Sequence, residues 1–168
     1  RSVVLQSGED LWFTPERMSE IIRGIKAGTD LAITLSAGER DRGTYRLWRE
    51  AGADRYLLHI ETTDPALFAA LHPDDDLQER KQCLYDLRDL GYQLGSGVMV
   101  GLPGQTAEHL ARDVMWLHKL GAEMIGVGPF IPHPNTPLQG ETGGTVERTL
   151  RLVAVLRLVF PDAHLPAT

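Results

Sequence analysis

Residues 117–127, LHKLGAEMIGV, close a helix-like segment on a glycine and begin an apolar run a few residues later. The same form recurs at 25–35 (IKAGTDLAITL), 48–58 (WREAGADRYLL) and 87–97 (LRDLGYQLGSG). Its glycines, Gly28, Gly52, Gly91 and Gly121, stand where the last carbonyls of a helix need closing. Glycine reaches the left-handed conformation that closes them without steric cost. Each junction then feeds a strand directly.

The opposite junctions agree. Thr14-Pro15-Glu16, Asp64-Pro65, Thr106-Ala107-Glu108 and Thr145-Val146-Glu147 each put a capping side chain ahead of a first helical turn. Between caps the apolar spacing is helical, as in Met18, Ile21, Ile22 and Ile25, or Leu110, Val114, Leu117 and Leu120. Helices are expected near 14–27, 43–52, 64–71, 77–90, 106–121 and 145–160. Strands are expected near 3–7, 31–36, 55–60, 93–101, 123–130 and 163–167, apolar enough to be buried on both faces. Such alternation gives an α/β fold with a parallel sheet and right-handed crossovers. Two architectures satisfy it: an open doubly wound sheet, and a TIM-type (β/α) barrel short of the roughly 250 residues that eight units need. The chain opens and closes on strands with no linker, so 1–168 reads as one incomplete domain.

Composition narrows the function. The chain is 42% hydrophobic and 24% charged, which is a globular balance rather than a disordered one. The net charge of −6, with both signs interspersed, offers no basic stripe for nucleic acid. No apolar run is long enough for a membrane span. No signal peptide is visible, and a cytoplasmic location is expected. The single cysteine, Cys83, shares a helical face with Leu84 and Leu87 and reads as a buried core thiol.

In both architectures ligands bind at the carboxyl ends of the strands. Those ends read SGED, SAGERDRG, ETTDP, GLPGQT, PFIPHPNTP and PAT. They gather Glu9, Glu39 and Glu61 with Ser7, Ser36, Thr62 and Thr168 into a polar rim. GSGVMVGLPG (95–104) carries glycines where a ligand could approach the backbone, and Thr106 starts a helix whose free amides could face an anion. It is neither a P-loop nor a dinucleotide fingerprint, because the Lys-Ser/Thr pair is absent and Gly95-x-Gly97 lies inside the strand.

Taken together, VVLQSGED (3–10), LHIETTDP (58–65), MVGLPGQT (99–106) and IGVGPFIPHPNTPL (125–138) resemble radical S-adenosylmethionine (SAM) enzymes of the biotin-synthase-like group, and within it the FeFe-hydrogenase maturases of the HydE type. The resemblance runs in order across nearly the whole chain. It implies a partial TIM-type barrel of about six parallel strands with outer helices, strands 2 to 7 of eight. It also implies SAM and a 4Fe–4S cluster as cofactors. The Cys-x3-Cys-x2-Cys loop that holds such a cluster is not in this chain and is expected upstream of Arg1.

The same resemblance assigns roles. Gly8 and Glu9 match the Gly-Glu pair that receives SAM's ammonium, and a carboxylate suits a cation there. Glu61 matches the carboxylate facing the ribose or sulfonium. Arg80, a surface residue by its local sequence alone, matches an arginine that pairs with SAM's carboxylate. Met99 matches a methionine near SAM. Gly126 to Ile131 would lie by the adenine, with backbone groups and the side chains of Val127, Phe130 and Ile131. On the substrate side stand Ser36, Arg40, Thr62 and Thr168, together with His59 where the family often has arginine. A histidine there holds an anion only when protonated.

The implied parent acts on a small iron–cysteine–carbonyl–cyanide precursor, drawing on an electron donor and other hydrogenase maturation proteins. The isolated chain, lacking the cluster cysteines, is expected to be inactive. A 3-methylornithine synthase or biotin-synthase-like enzyme is the nearest alternative. A non-radical phosphate-binding barrel and a non-catalytic binding or assembly module are alternatives of other classes.

Overall fold

A computed structural model describes residues 1–166, so Thr168 lies outside the described residues. Five strands alternate with six helices in an α/β fold. The strands are β1 (Ser2–Gln6), β2 (Ala32–Ser36), β3 (Arg55–Leu57), β4 (Gln93–Val100) and β5 (Met124–Pro129). The helices are α1 (Pro15–Gly28), α2 (Arg42–Ala51), α3 (Pro65–Leu71), α4 (Leu77–Asp89), α5 (Ala107–Leu120) and α6 (Val146–Val159). Strand order follows chain order, β1-β2-β3-β4-β5, with parallel pairing. No helix among the described residues is long and apolar enough to cross a membrane.

The expected caps form. Thr14, Asp64, Thr106 and Thr145 each accept a backbone N–H of the first turn, and Asp41 does the same for α2 through the Thr44 amide at 2.9 Å. The Thr44 amide and hydroxyl hold the Asp41 carboxyl below its ordinary range. Gly52, Gly91 and Gly121 are left-handed, as expected. Gly28 is not: α1 runs through it and ends on an extended Thr29, whose hydroxyl donates to the Ile25 carbonyl. A side chain closes the carbonyl that the glycine was expected to close.

Two strands are shorter than expected. The sixth strand is reduced to one parallel bridge, Met124 to His164. β3 stops at Leu57 because its ladder is broken by an extra residue. Leu58 N–H donates to Gly95 O, and the next such bond runs from Glu61 N–H to Gly97 O. The surplus amide, Ile60 N–H, donates to the Ser96 hydroxyl. This is a bulge, and bulges re-aim side chains beside functional sites.

The chain divides into two compact units, Arg1–Leu58 with Gln78–Gly95, and His59–Leu77 with Ser96 onward. The first is centred on Ile33, Leu35, Leu84 and Leu87 and an aromatic cluster in which Trp48 stacks on Tyr56 at 6.3 Å and Tyr45 meets it edge-on at 5.1 Å. The second is centred on Ile60, Phe68, Val98, Val100, Leu117, Ile125 and Leu156.

Candidate functional site

In the first unit the loops after β1 and β2 meet. Gly8 turns left-handed (φ +58°) in open space, which places Glu9 beside the β2–α2 loop. Glu9 Oε1 accepts the Glu39 N–H at 3.2 Å. Its side chain lies over Gly38, a left-handed position with no room for a Cβ. Arg80 is buried, not a surface residue, and its Nε donates to Glu39 Oε1. Local sequence missed this because Arg80's partner lies 41 residues away, on another loop.

Arg40 lies alongside. Its N–H donates to the Tyr45 hydroxyl at 2.9 Å, and its Nη1 donates to the Glu39 carbonyl at 2.7 Å. Its Nη2 is buried without a hydrogen-bond partner. The Tyr56 hydroxyl donates to Gly38 O at 2.8 Å, and burial pushes the Tyr45 and Tyr56 phenols well above their ordinary range. Cys83 is half-buried rather than a core thiol. Its Sγ lies 3.5 Å from the Arg40 carbonyl, and burial pushes the thiol up. Ser36 ends β2, and its carbonyl accepts the Ser7 N–H at 3.2 Å.

In the second unit Glu61 is the only non-glycine with positive φ (+61°) among the described residues. Such a backbone costs of order 1–3 kcal/mol and persists only where the surroundings enforce it. Here Glu61 N–H donates to Gly97 O at 3.0 Å, and Glu61 O accepts Met99 N–H at 3.1 Å. The carboxylate has two different ends. Oε1 lies 3.4 Å from His59 Nδ1, whereas Oε2 is buried with no hydrogen-bond partner. The His59 ring lies over Gly97, where a Cβ would come within 2.6 Å of it. At Gly97, then, the close approach expected of a ligand is made by His59.

The other residues expected at the site in this unit have local partners or surroundings of their own. Thr62 is fully buried, and its hydroxyl oxygen accepts the Asp64 N–H in the turn leading to α3. Met99 is half-buried, with its carbonyl held by Gln105 Nε2 at 2.8 Å. Gln105 Oε1 also accepts Gly101 N–H at 2.7 Å, so one side chain clasps the GLPGQ turn. What sits against Gly101 is Gly144, from the loop before α6. At the start of α5 the Thr106 hydroxyl accepts His109 N–H and His109 Nδ1 accepts Thr106 N–H, a reciprocal cap. Val127 and Phe130 are buried, while Ile131 is 76% exposed. Phe130's backbone is not on offer, because its N–H donates to Val100 O and its O accepts Gly144 N–H.

Asp113 on α5 went unread in the sequence. Fully buried, its Oδ1 accepts both the amide and the hydroxyl of Thr63, at 2.7 and 2.6 Å. Burial raises this carboxyl despite the Thr63 hydrogen bonds. An apolar helical spacing with one aspartate on the inner face is the signal that marks it.

Chemically, Glu61 presents a desolvated acceptor to a hydroxyl or a cation, and Arg40 presents a desolvated donor to an anion. The first suits a hydroxyl-bearing or cationic group, and the second suits a carboxylate or another small anion. A cluster fits less well: among the described residues no three His, Cys, Asp or Glu side chains are grouped to hold a metal ion.

The family model described as the Radical SAM superfamily matches residues 1–117. The [FeFe] hydrogenase maturase subunit HydE of Thermotoga maritima is 48% identical over all 168 residues, which span 48% of that protein. The biotin synthase of Thermus thermophilus is 33% identical over 91% of this chain and 47% of its own length. The crystal structure of methylornithine synthase (PylB) superposes with a TM-score of 0.90 at 28% identity, over 98% of this chain and 49% of that one. The chain thus spans about half the length of the curated relatives it matches.

Proposed function

The chain belongs to the radical SAM superfamily, and from that premise we propose that it is the central part of an enzyme that matures the FeFe-hydrogenase active-site cluster. Its strands are then the second to the sixth of an eight-unit barrel, with the stretch at His164 starting the seventh. The parent supplies the cluster-binding cysteines and the remaining units, and works in the cytoplasm. Bound SAM, reduced at a 4Fe–4S cluster, supplies a 5′-deoxyadenosyl radical.

One observation carries the reading: Glu61 is held in a strained backbone with a buried, unpartnered carboxylate oxygen. Asp113 Oδ2 is likewise buried and unpartnered, but among the described residues only Glu61 joins such an oxygen to a left-handed backbone. In this reading Glu61 accepts the ribose hydroxyls or faces the sulfonium. Gly8 and Glu9 receive the ammonium, and Arg80, steadied by Glu39, receives the carboxylate. Met99, Val127, Phe130 and Ile131 line the adenosyl group. Ser36, Arg40, His59, Thr62 and Thr168 serve the substrate, a small iron–cysteine–carbonyl–cyanide complex. An electron donor and other hydrogenase maturation proteins are its partners.

Identity favours the maturase over the other activities, at 48% across the whole chain against 33% and 28%. A second reading, 3-methylornithine synthase, is favoured by the superposition at TM-score 0.90. The test is to prepare the full-length parent anaerobically with iron and sulfide, add SAM and a reductant, and assay for 5′-deoxyadenosine. The same preparation is then offered to an immature FeFe-hydrogenase and, separately, to lysine. Release of 5′-deoxyadenosine with hydrogenase activation is expected. Methylornithine formation without activation establishes the second reading, and no 5′-deoxyadenosine overturns both.

A further inference from the structure

We propose that His59 is a positioning residue for Glu61, an imidazole that holds one carboxylate oxygen so that the other is presented to a hydroxyl-bearing or cationic ligand group. The inference rests on the reading that Glu61 meets the adenosyl ligand.

The ring packs against β4 at Gly97. A Cβ on residue 97 would come within 2.6 and 2.7 Å of its Cε1 and Nε2, and within 2.5 Å of the Gly126 carbonyl oxygen. Position 97 is therefore open only to glycine while the ring lies there. With the Nε2–Cε1 edge against β4, Nδ1 faces Glu61 Oε1 at 3.4 Å. That is a long contact, of the kind that tightens when a ligand arrives.

A neutral imidazole carries one proton, on either nitrogen, and its neighbours select the tautomer. A carboxylate beside Nδ1 selects the Nδ1–H form. The donated proton then fixes the rotation of the carboxylate about its last bond. Oε2 is left as the buried acceptor that nothing in the described protein satisfies. An arginine at position 59 would bring a permanent charge and a fork able to engage both oxygens. Histidine engages one, which keeps the second oxygen and the negative charge for the ligand.

The test uses the full-length parent labelled with ¹⁵N-histidine, first without SAM. His59 is assigned by its loss in His59→Phe, and its ring nitrogen shifts report the tautomer. The Nδ1–H form is expected, shifting toward Nε2–H in Glu61→Gln. An Nε2–H form in the native protein, unmoved by Glu61→Gln, overturns the proposal. SAM affinity is the second measurement. Losing one hydrogen bond to a charged group weakens binding about tenfold or more in His59→Phe. His59→Asn, whose amide nitrogen occupies the place of Nδ1, is expected to restore affinity to within about threefold. Equal losses in the two variants overturn the positioning role. If native protein binds no SAM at all, the functional reading fails while the tautomer still decides the His59–Glu61 relationship.

Discussion

Gly144 backs onto Gly101 so closely that a methyl group on either would overlap the backbone: the Gly144 α-carbon in one case, the Val100 carbonyl in the other. The contact belongs to a run of main-chain hydrogen bonds, from Phe130 N–H to Val100 O at 2.8 Å and from Gly144 N–H to Phe130 O at 2.7 Å. The proline–glycine bend at 101–104 thus docks the loop ahead of α6. Gly144→Ala should destabilise the protein by at least about 2 kcal/mol, because backbone cannot step aside as a side chain can. Gly140→Ala, with nothing within 4 Å of the added carbon, should stay within about 0.5 kcal/mol of native. Denaturant unfolding of both variants is the check, and equal midpoints would remove the docking argument.

The Glu39–Arg80 pair makes a second prediction. Arg80 is 7% exposed, and its guanidinium is anchored at Nε by Glu39 Oε1. Removing one partner of a buried pair strands the other, at a cost of about 3–5 kcal/mol. Glu39 keeps about a fifth of its side chain in solvent. Arg80→Met should therefore fall near the lower end, about 3 kcal/mol. Adding Glu39→Gln should recover part of the loss, since a neutral amide then stands where the carboxylate has lost Arg80. A double-mutant cycle measures the coupling.

Two aspartates predict pH effects of opposite sign. Asp54 accepts Lys26 Nζ at 2.7 Å and the Ile33 amide at 2.8 Å. Burial alone would raise its carboxyl, but these partners bring it below its ordinary value of 3.8. Its contribution is fully present above about pH 3.8 and is lost as pH falls through the lower folded value. Asp113 is raised above 3.8, chiefly by burial. It binds its proton more tightly folded than unfolded, so stability falls as pH rises from 3.8 through its folded value. Asp54→Asn should flatten the acid limb of the stability–pH curve. Asp113→Asn should remove the decline above it. Thermal midpoints across pH 3–7 would refute this if both variants bent the curve the same way.

Cys83 should be a slow thiol. Burial raises it, and thiolate is the reacting form, so alkylation at neutral pH should be slower than that of a free cysteine. Denaturant should abolish the difference. A fast native reaction would mean that α4 opens readily.

The fold was legible where one residue decides one junction. Thr14, Asp64, Thr106 and Thr145 cap the helices they precede, and Gly52, Gly91 and Gly121 close helices as their position demands. Legibility failed where partners are distant in sequence. Nothing near Arg80 announces Glu39, and nothing near Asp113 announces Thr63, 50 residues earlier. It failed also where a side chain substitutes for expected chemistry. Thr29 closes α1 in place of Gly28, and Gln105 clasps a turn that looked open to a ligand. The rim acids Glu9, Glu39 and Glu61 were visible as strand-end carboxylates. Their different states, one over a glycine, one paired with a buried arginine and one left with an orphaned oxygen, were not.

Glu61 offers a test that tells a functional acid from a structural one. Its positive φ costs about 1–3 kcal/mol in any residue with a Cβ, and glycine escapes that cost. Its Oε2, buried and unpartnered, adds a desolvation cost that replacement by glycine also lifts. Against these gains stand the contact with His59 and the greater freedom of glycine in the unfolded chain, which costs about 0.5–1 kcal/mol. Glu61→Gly should therefore match or exceed native stability, by up to about 2 kcal/mol. Glu61→Ala keeps the backbone strain and should fall below the glycine variant. If the carboxylate serves a ligand, both variants lose SAM affinity in the full-length parent, so stability and binding move in opposite directions for Glu61→Gly. Thermal denaturation paired with SAM titration reads both quantities. A glycine variant that is less stable than alanine, or one that binds SAM as native does, would show that Glu61 holds the loop after β3 and not the ligand.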